Sequence, residues 1–217
     1  KINKPEDNFG FLRVASAVPA VLVGDVDANT KAIIGQIVSA SDKGAKIIVF
    51  PELCVTSYTC ADLFAQEALL QKAALALDEI RNHCGESLVF VGVPLLHEGR
   101  VFNCAVAMNN GKILGVVPKT YLPNYSEFYE KRWFATADDI KAGETIAING
   151  EKYPFGTNLL FEYQGIKVAA EICEDLWTTI PPSSIAALNG ANVVVNLSAS
   201  TEVIGKHAYL RSLIQQQ

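Results

Sequence analysis

Apolar residues along this chain come in short bursts separated by amphipathic stretches, the rhythm of strands alternating with helices. Residues 11–23 crowd Leu12, Val14, Ala15, Val18 and Val21 together and read as a first strand. Beyond Gly24, Asp25 or Asp27 can cap a helix over residues 28–41, with Ile33, Ile34, Ile37 and Val38 on one stripe and Gly44 ending it. Residues 46–50 run into an apolar burst of the kind expected in a sheet covered on both faces. Helical periodicity returns over residues 62–84 through Leu70, Ala73, Leu77 and Ile80, and Gly85 supplies the stop.

Residues 88–96 read as the third strand. Glu98-Gly99 is a hairpin turn into a strand over 101–108, and Asn110-Gly111 a second turn into 112–117, which implies a locally antiparallel ladder. Residues 119–144 have no such pattern but carry Tyr121, Tyr125, Phe128, Tyr129, Trp133 and Phe134. A loop this long in a compact domain is usually functional or disordered, and its aromatic density argues for function. Short strands follow at 145–148 and 158–163, flanking a Gly150 turn and the Pro154-Phe155-Gly156 bend. Ile166, Val168 and Ala170 then alternate with Lys167 and Ala169 in a strand that ends near Ile172. A helix opens at Pro181-Pro182 and stops at Gly190, residues 193–197 form another buried strand, and 202–217 are helical in pattern. The alternation predicts one α/β domain over residues 11–217, preceded by a loose polar leader over 1–10, with no internal repeat.

Composition narrows the partners. About half of the 217 residues are apolar, enough for one well-filled core. Formal net charge is -5, with charges interleaved and no basic stripe, so nucleic acid and anionic membrane are not expected partners. The longest apolar run, residues 88–96, is interrupted by Gly92 and Pro94 and is too short to span a bilayer. Five scattered cysteines, Cys54, Cys60, Cys84, Cys104 and Cys173, fit neither a disulfide framework nor a zinc site. Free thiols in a reducing cytoplasm, with no metal, are the simplest account.

Three chemically active residues share one property. Glu52 follows the strand at 46–50, Lys119 follows the one at 112–117, and Cys173 falls where the strand at 166–172 stops. Strand ends of an α/β sheet gather at one rim, where ligands bind, so distant positions can meet there. Taken alone, Cys173 reads as a small buried hydrophobe. With a carboxylate to take its proton and an ammonium to stabilise an oxyanion, it becomes sufficient for attack on an amide. His83, His97 and His207 lie at a helix end, a hairpin turn and the last helix, none beside a strand end with an acid to orient it, so a Cys-His enzyme is disfavoured.

Pro51-Glu52-Leu53, Pro118-Lys119-Thr120-Tyr121-Leu122-Pro123 and Glu171-Ile172-Cys173-Glu174-Asp175-Leu176-Trp177 resemble, in order and separation, the three signatures of the nitrilase superfamily. The Cys-Glu-Asp form is most similar to the amino-terminal glutaminase domain of glutamine-dependent NAD synthetases. The resemblance implies an αββα sandwich of two mixed sheets flanked by helices. It implies Glu52 as general base, Lys119 and the Glu174 backbone N–H as oxyanion donors, and Cys173 as nucleophile. Glu127 matches a second glutamate that supports the lysine and the attacking water. Tyr58, Tyr125 and Phe128 match positions lining a glutamine pocket, and Glu174, Ser200 and Lys206 match positions near its head group. Lys206 stands where relatives often carry arginine, and lysine cannot grip a carboxylate bidentately.

The same resemblance implies glutamine as substrate, self-association, and no cofactor for the glutaminase reaction. ATP and Mg belong to a synthetase domain absent from this chain, which contains no Ser-Gly-Gly phosphate loop and no Walker lysine motif. The chain is expected to lack the carboxyl-terminal part of its own domain as well, and to be weakly active or inactive by itself. Two other readings stay open: a stand-alone amidase or carbamoylase, and a non-catalytic nitrilase-like module that binds a partner through its aromatic loop.

Overall fold

The computed structural model describes residues 10–217. The leader expected over residues 1–10 lies, apart from Gly10, outside the described residues. β1 (Val14–Ser16), α1 (Val26–Asp42), β2 (Ile47–Val49), α2 (Glu67–Arg81), β3 (Leu88–His97), β4 (Arg100–Asn109) and β5 (Lys112–Pro118) make the first layers. The strands form one mixed sheet in the order β1-β2-β3-β4-β5, parallel through β3 and antiparallel beyond it. Both hairpin turns are as expected: Glu98-Gly99 and Asn110-Gly111 take positive φ at both central residues. That is the primed geometry whose twist matches the flanking strands.

The second half adds β6 (Thr145–Ile148) and β7 (Glu151–Pro154), then β8 (Phe161–Tyr163), β9 (Ile166–Ile172), α3 (Pro182–Leu188), β10 (Val193–Leu197) and α4 (Lys206–Gln216). β10, β9 and β8 form a second mixed sheet. Strand periodicity explains the layering. Val89, Val91 and Val93 of β3 pack with Ile33 and Ile37 of α1 and Ala73, Leu77 and Ile80 of α2. The alternate residues, Leu88 and Phe90, pack with Val168, Ala170 and Ile172 of β9 and Leu197 of β10. A sheet covered on one face by helices and on the other by a second sheet has no polar side, which is why β3 is buried on both faces from Leu88 to Leu95. On the outer face of β9, Glu171 accepts the Ser183 backbone N–H at 3.1 Å and so anchors the start of α3. The layers are therefore helix, sheet, sheet, helix.

Four expectations change. The strand expected over 11–23 pairs only at Val14, Ala15 and Ser16, and Val18, Leu22 and Val23 lie exposed in a loop, since β2 offers just three partners. The helix expected over 62–84 begins at Glu67. Before it, Tyr58–Ala65 forms tighter turns broken at Ala61, where φ is 50°, and buries Cys60 and Phe64 against Leu53 and Phe134. Residues 151–154 form a strand that patterning missed, paired to β6 around Asn149-Gly150, and only the end of 158–163 is β8. The last helix begins at Lys206 and not at 202.

Candidate active site

Two reversals, β3 to β4 and β4 to β5, return β5 to the direction of β2 and β3, so the carboxyl ends of β2 and β5 lie at one rim. Glu52 follows the first of these ends and Lys119 the second, and their side chains meet: Lys119 Nζ donates to Glu52 Oε1 at 2.6 Å. Lys119 is 0 % exposed, so the pair is cut off from water. The same Glu52 oxygen accepts the Asn103 side-chain N–H at 2.6 Å, while Oε2 accepts the Ala199 backbone N–H at 3.2 Å.

Lys119 has a second acid partner. Its Nζ donates to Glu130 Oε1 at 2.7 Å, and that oxygen also accepts the Tyr58 hydroxyl at 2.7 Å. Burial by itself would strip a lysine of its proton; Glu52 and Glu130 outweigh it and hold the Lys119 pKa above its ordinary value. Burial raises the Glu130 pKa, and Glu52 adds to the rise against the pull of Lys119. Glu130 Oε2 is buried and accepts no hydrogen bond among the described residues.

Cys173 lies one residue past β9, in a left-handed backbone conformation with φ 47°. A side chain there costs about 1–2 kcal/mol, so the surrounding structure must hold it in place. Burial pushes the thiol up to about 12; nearby Glu52 adds to this, and Lys119 and the Ala199 N–H oppose it. At neutral pH Cys173 is a thiol that needs a base, and Glu52 is the acid group that acts on it most strongly.

Space for Glu52 depends on Gly92 of β3. A Cβ on Gly92 would come within 2.3 Å of Leu53 N and 2.5 Å of Pro51 O. The turn that carries the carboxylate rests directly on that glycine.

The remaining expected residues form two groups of contacts. Phe128 stands edge-on to both Tyr58 and Tyr125, at 6.4 Å and 5.9 Å between ring centroids. The Tyr125 hydroxyl lies 3.0 Å and 2.9 Å from the two Glu174 carboxylate oxygens. Tyr125 and Glu174 also border an open cleft of about 620 Å³. In the second group Lys206 Nζ donates to Ser200 Oγ and, at 2.8 Å, to the Thr201 carbonyl, and sits 5.6 Å from the Trp177 ring centroid.

Glu127 is not beside the lysine. It is exposed and accepts the Thr201 hydroxyl at 2.9 Å, whereas Glu130, three residues on, occupies the place expected for it. Both acids sit in the run Ser126-Glu127-Phe128-Tyr129-Glu130, and nothing local separates them. The turn over Glu130–Arg132, whose first N–H donates to Pro123 O at 3.1 Å, directs Glu130 inward. Asn103 was also missed, because an asparagine inside an apolar strand gives no signal of its partner. Among the described residues His97 and Glu98 at the β3–β4 turn lie close to Glu144, just before β6, but these three join none of the hydrogen bonds around Lys119.

Two mixed sheets flanked by helices, with such a thiol at their rim, place the molecule in the class of nitrilase-like hydrolases. The chain belongs to the carbon-nitrogen hydrolase family, whose profile matches residues 13–216. It is 41 % identical over 202 residues to the glutamine-dependent NAD(+) synthetase of Mycobacterium tuberculosis, covering 91 % of this chain and 30 % of that protein. The chain therefore spans about a third of the length of the curated relatives it matches. The crystal structure of a glutamine-dependent NAD(+) synthetase from Cytophaga hutchinsonii superposes with a TM-score of 0.82 at 31 % identity, over 94 % of this chain and 33 % of that one. An amidase from Nesterenkonia sp. shares the fold at 19 % identity, with a TM-score of 0.70 over 90 % of this chain and 68 % of that one.

Proposed function

We propose that this chain is the glutamine-hydrolysing part of a glutamine-dependent NAD synthetase. The observation that carries the reading is the buried chain Glu52–Lys119–Glu130, whose charges act on the Cys173 thiol, in a chain 41 % identical over most of its length to such a synthetase. Glu52 takes the Cys173 proton as the sulfur attacks the side-chain amide carbon of glutamine. The oxyanion that forms is met by Lys119 Nζ and the Glu174 backbone N–H. Glu52 returns the proton to the departing nitrogen, ammonia leaves, and a glutamyl thioester remains. Water, deprotonated by Glu52, releases glutamate and restores the thiol.

Glu130, and not Glu127, supports the ammonium and the attacking water. Tyr58, Phe128 and Tyr125 wall the side chain of the substrate. Glu174 receives the α-ammonium, and Ser200 and Lys206 the α-carboxylate.

Residues 11–217 form part of a nitrilase-like domain in a cytoplasmic homo-oligomer. The ammonia passes to a separate synthetase unit, where ATP and Mg drive amidation of deamido-NAD; the glutaminase residues need no cofactor. The test compares ammonia and glutamate release from glutamine with release from simple aliphatic amides, using the intact protein and Cys173→Ala. Glutamine turnover that the substitution abolishes is expected, and negligible glutamine turnover refutes the reading. The chain of 217 residues alone is expected to be weakly active or inactive, and activity equal to that of the intact protein would contradict this.

A further inference from the structure

Asp175 lies two residues past the nucleophile, is buried, and has no part in the reaction described above. Its Oδ1 accepts the backbone N–H groups of Thr120 and Tyr121 at 3.1 Å and 2.8 Å, and its Oδ2 accepts that of Ile172 at 2.9 Å. Thr120 and Tyr121 directly follow Lys119, and Ile172 directly precedes Cys173. One carboxylate thus joins the backbones of two catalytic segments that are more than 50 residues apart in the chain.

We propose that Asp175 is a positioning residue that sets the spacing between the Lys119 ammonium and the Cys173 sulfur. The proposal rests on the hydrolase reading above. Both segments leave their sheets here: the last rungs are the Lys119 N–H on the Asn103 carbonyl at 2.8 Å and the pairing of Ile172 with Leu197, and β5 and β9 end at Pro118 and Ile172. The lysine segment is anchored on its other side, where the Lys119 carbonyl accepts the Ala137 N–H at 3.0 Å and the Thr120 carbonyl accepts the Thr136 hydroxyl at 2.6 Å. Asp175 supplies the opposing anchor and ties it to the strained elbow, which Thr178 closes by donating its hydroxyl to the Asp175 carbonyl at 2.9 Å.

Capping the elbow would need only the bond to Ile172. The bonds to Thr120 and Tyr121 are surplus to that role and have no local purpose. A carboxylate offers acceptors at both ends, which three converging donors require. An amide has one, so Asp175→Asn keeps shape but must turn an N–H toward a donor.

The test uses Asp175→Asn in the intact protein, with thermal melting as a check of folding, glutamine kinetics, and the rate of Cys173 alkylation by iodoacetamide. A folded variant whose kcat falls by about tenfold or more, with KM within about threefold, supports the proposal, since small misplacements of reacting groups act on the chemical step. A smaller fall in kcat, or a loss carried by KM, overturns it. Should the parent turn over no glutamine, the amidohydrolase reading fails separately, and alkylation, which needs no substrate, decides for Asp175. An unchanged alkylation rate in folded Asp175→Asn then overturns the proposal, and a changed one supports it. Should the variant not fold, hydrogen exchange in the parent decides. Protection of the Thr120, Tyr121 and Ile172 amides supports the shared anchor, and a Tyr121 amide that exchanges like open loop overturns it.

Discussion

The side-chain N–H of Asn103 lies 2.6 Å from Glu52 Oε1, the oxygen that also accepts Lys119 Nζ. The backbone carbonyl of Asn103 in turn accepts the Lys119 N–H at 2.8 Å. One residue of β4 therefore holds the base by its side chain and the lysine by its main chain. Replacing it leaves a buried carboxylate short of a donor, which costs about 1–3 kcal/mol. Asn103→Leu is expected to lower kcat by tenfold to a hundredfold, about what that energy corresponds to, with a smaller change in KM. Asn103→Asp, which sets a second acid against Glu52, is expected to be worse. Steady-state glutamine kinetics with a melting curve for each variant make the comparison, and parent-like kcat in folded Asn103→Leu would contradict it.

The two glutamates of the aromatic loop make opposite predictions. Glu130→Gln removes a charge that holds Lys119 protonated, and a loss of about a hundredfold or more in kcat is expected, as for other preorganised electrostatic groups. Glu127→Gln touches an exposed carboxylate bound to Thr201, and kcat is expected to stay within about threefold, as for most surface changes. Equal effects of the two substitutions would remove Glu130 from the site.

Gly92→Ala and Gly115→Ala test whether backbone proximity at the base matters. At Gly115 the nearest atom to an added Cβ is the tip of the Leu159 side chain at 3.0 Å, which can move; at Gly92 it is the backbone of the Glu52 turn. Overpacking of a closely fitted interior costs about 1–3 kcal/mol. Gly92→Ala is expected to reach or exceed that range in denaturant titration and to abolish turnover, with Gly115→Ala milder on both counts. An active Gly92→Ala with parent-like stability would show that the turn adapts.

Alkaline pH should destabilise the protein. Burial pushes the thiols of Cys54 and Cys84 up to about 12, and burial with Glu52 does the same for Cys173. A free cysteine loses its proton near about 8.5. Between these values the unfolded chain has released protons that the folded chain still holds. Stability is therefore full below the unfolded pKa and falls as pH rises toward the folded one, by up to about 1.4 kcal/mol per pH unit for each thiol. Melting temperatures are expected to decline from about pH 9 upward, with a shallower slope in Cys173→Ala. A melting temperature independent of pH across that window would contradict the burial of these thiols.

Much of the architecture could be read from the chain itself because it is local. Glu98-Gly99 and Asn110-Gly111 specify their turns through backbone geometry available to two residues, and residues 46–50 announce a sheet covered on both faces by an apolar burst. Glu52, Lys119 and Cys173 were singled out because each follows a strand, and strand direction sends such residues to a rim. The missed features depend on distant partners. β1 ends after Ser16 because β2 is short, and Tyr58–Ala65 leaves the helix because Cys60 and Phe64 are buried against Leu53 and Phe134.

By itself, then, the order of residues determined most of the central strands, the two hairpin turns between them, and which acid, amine and thiol stand at strand ends, since backbone propensity and side-chain period act over a few positions. Only the tertiary structure decided that Glu130 and not Glu127 reaches the lysine, that Asn103 and Asp175 hold the reacting groups, and that Gly92 must have no side chain. Those choices are made by hydrogen bonds and contacts between residues far apart in sequence, whose geometry exists only after the sheets have packed.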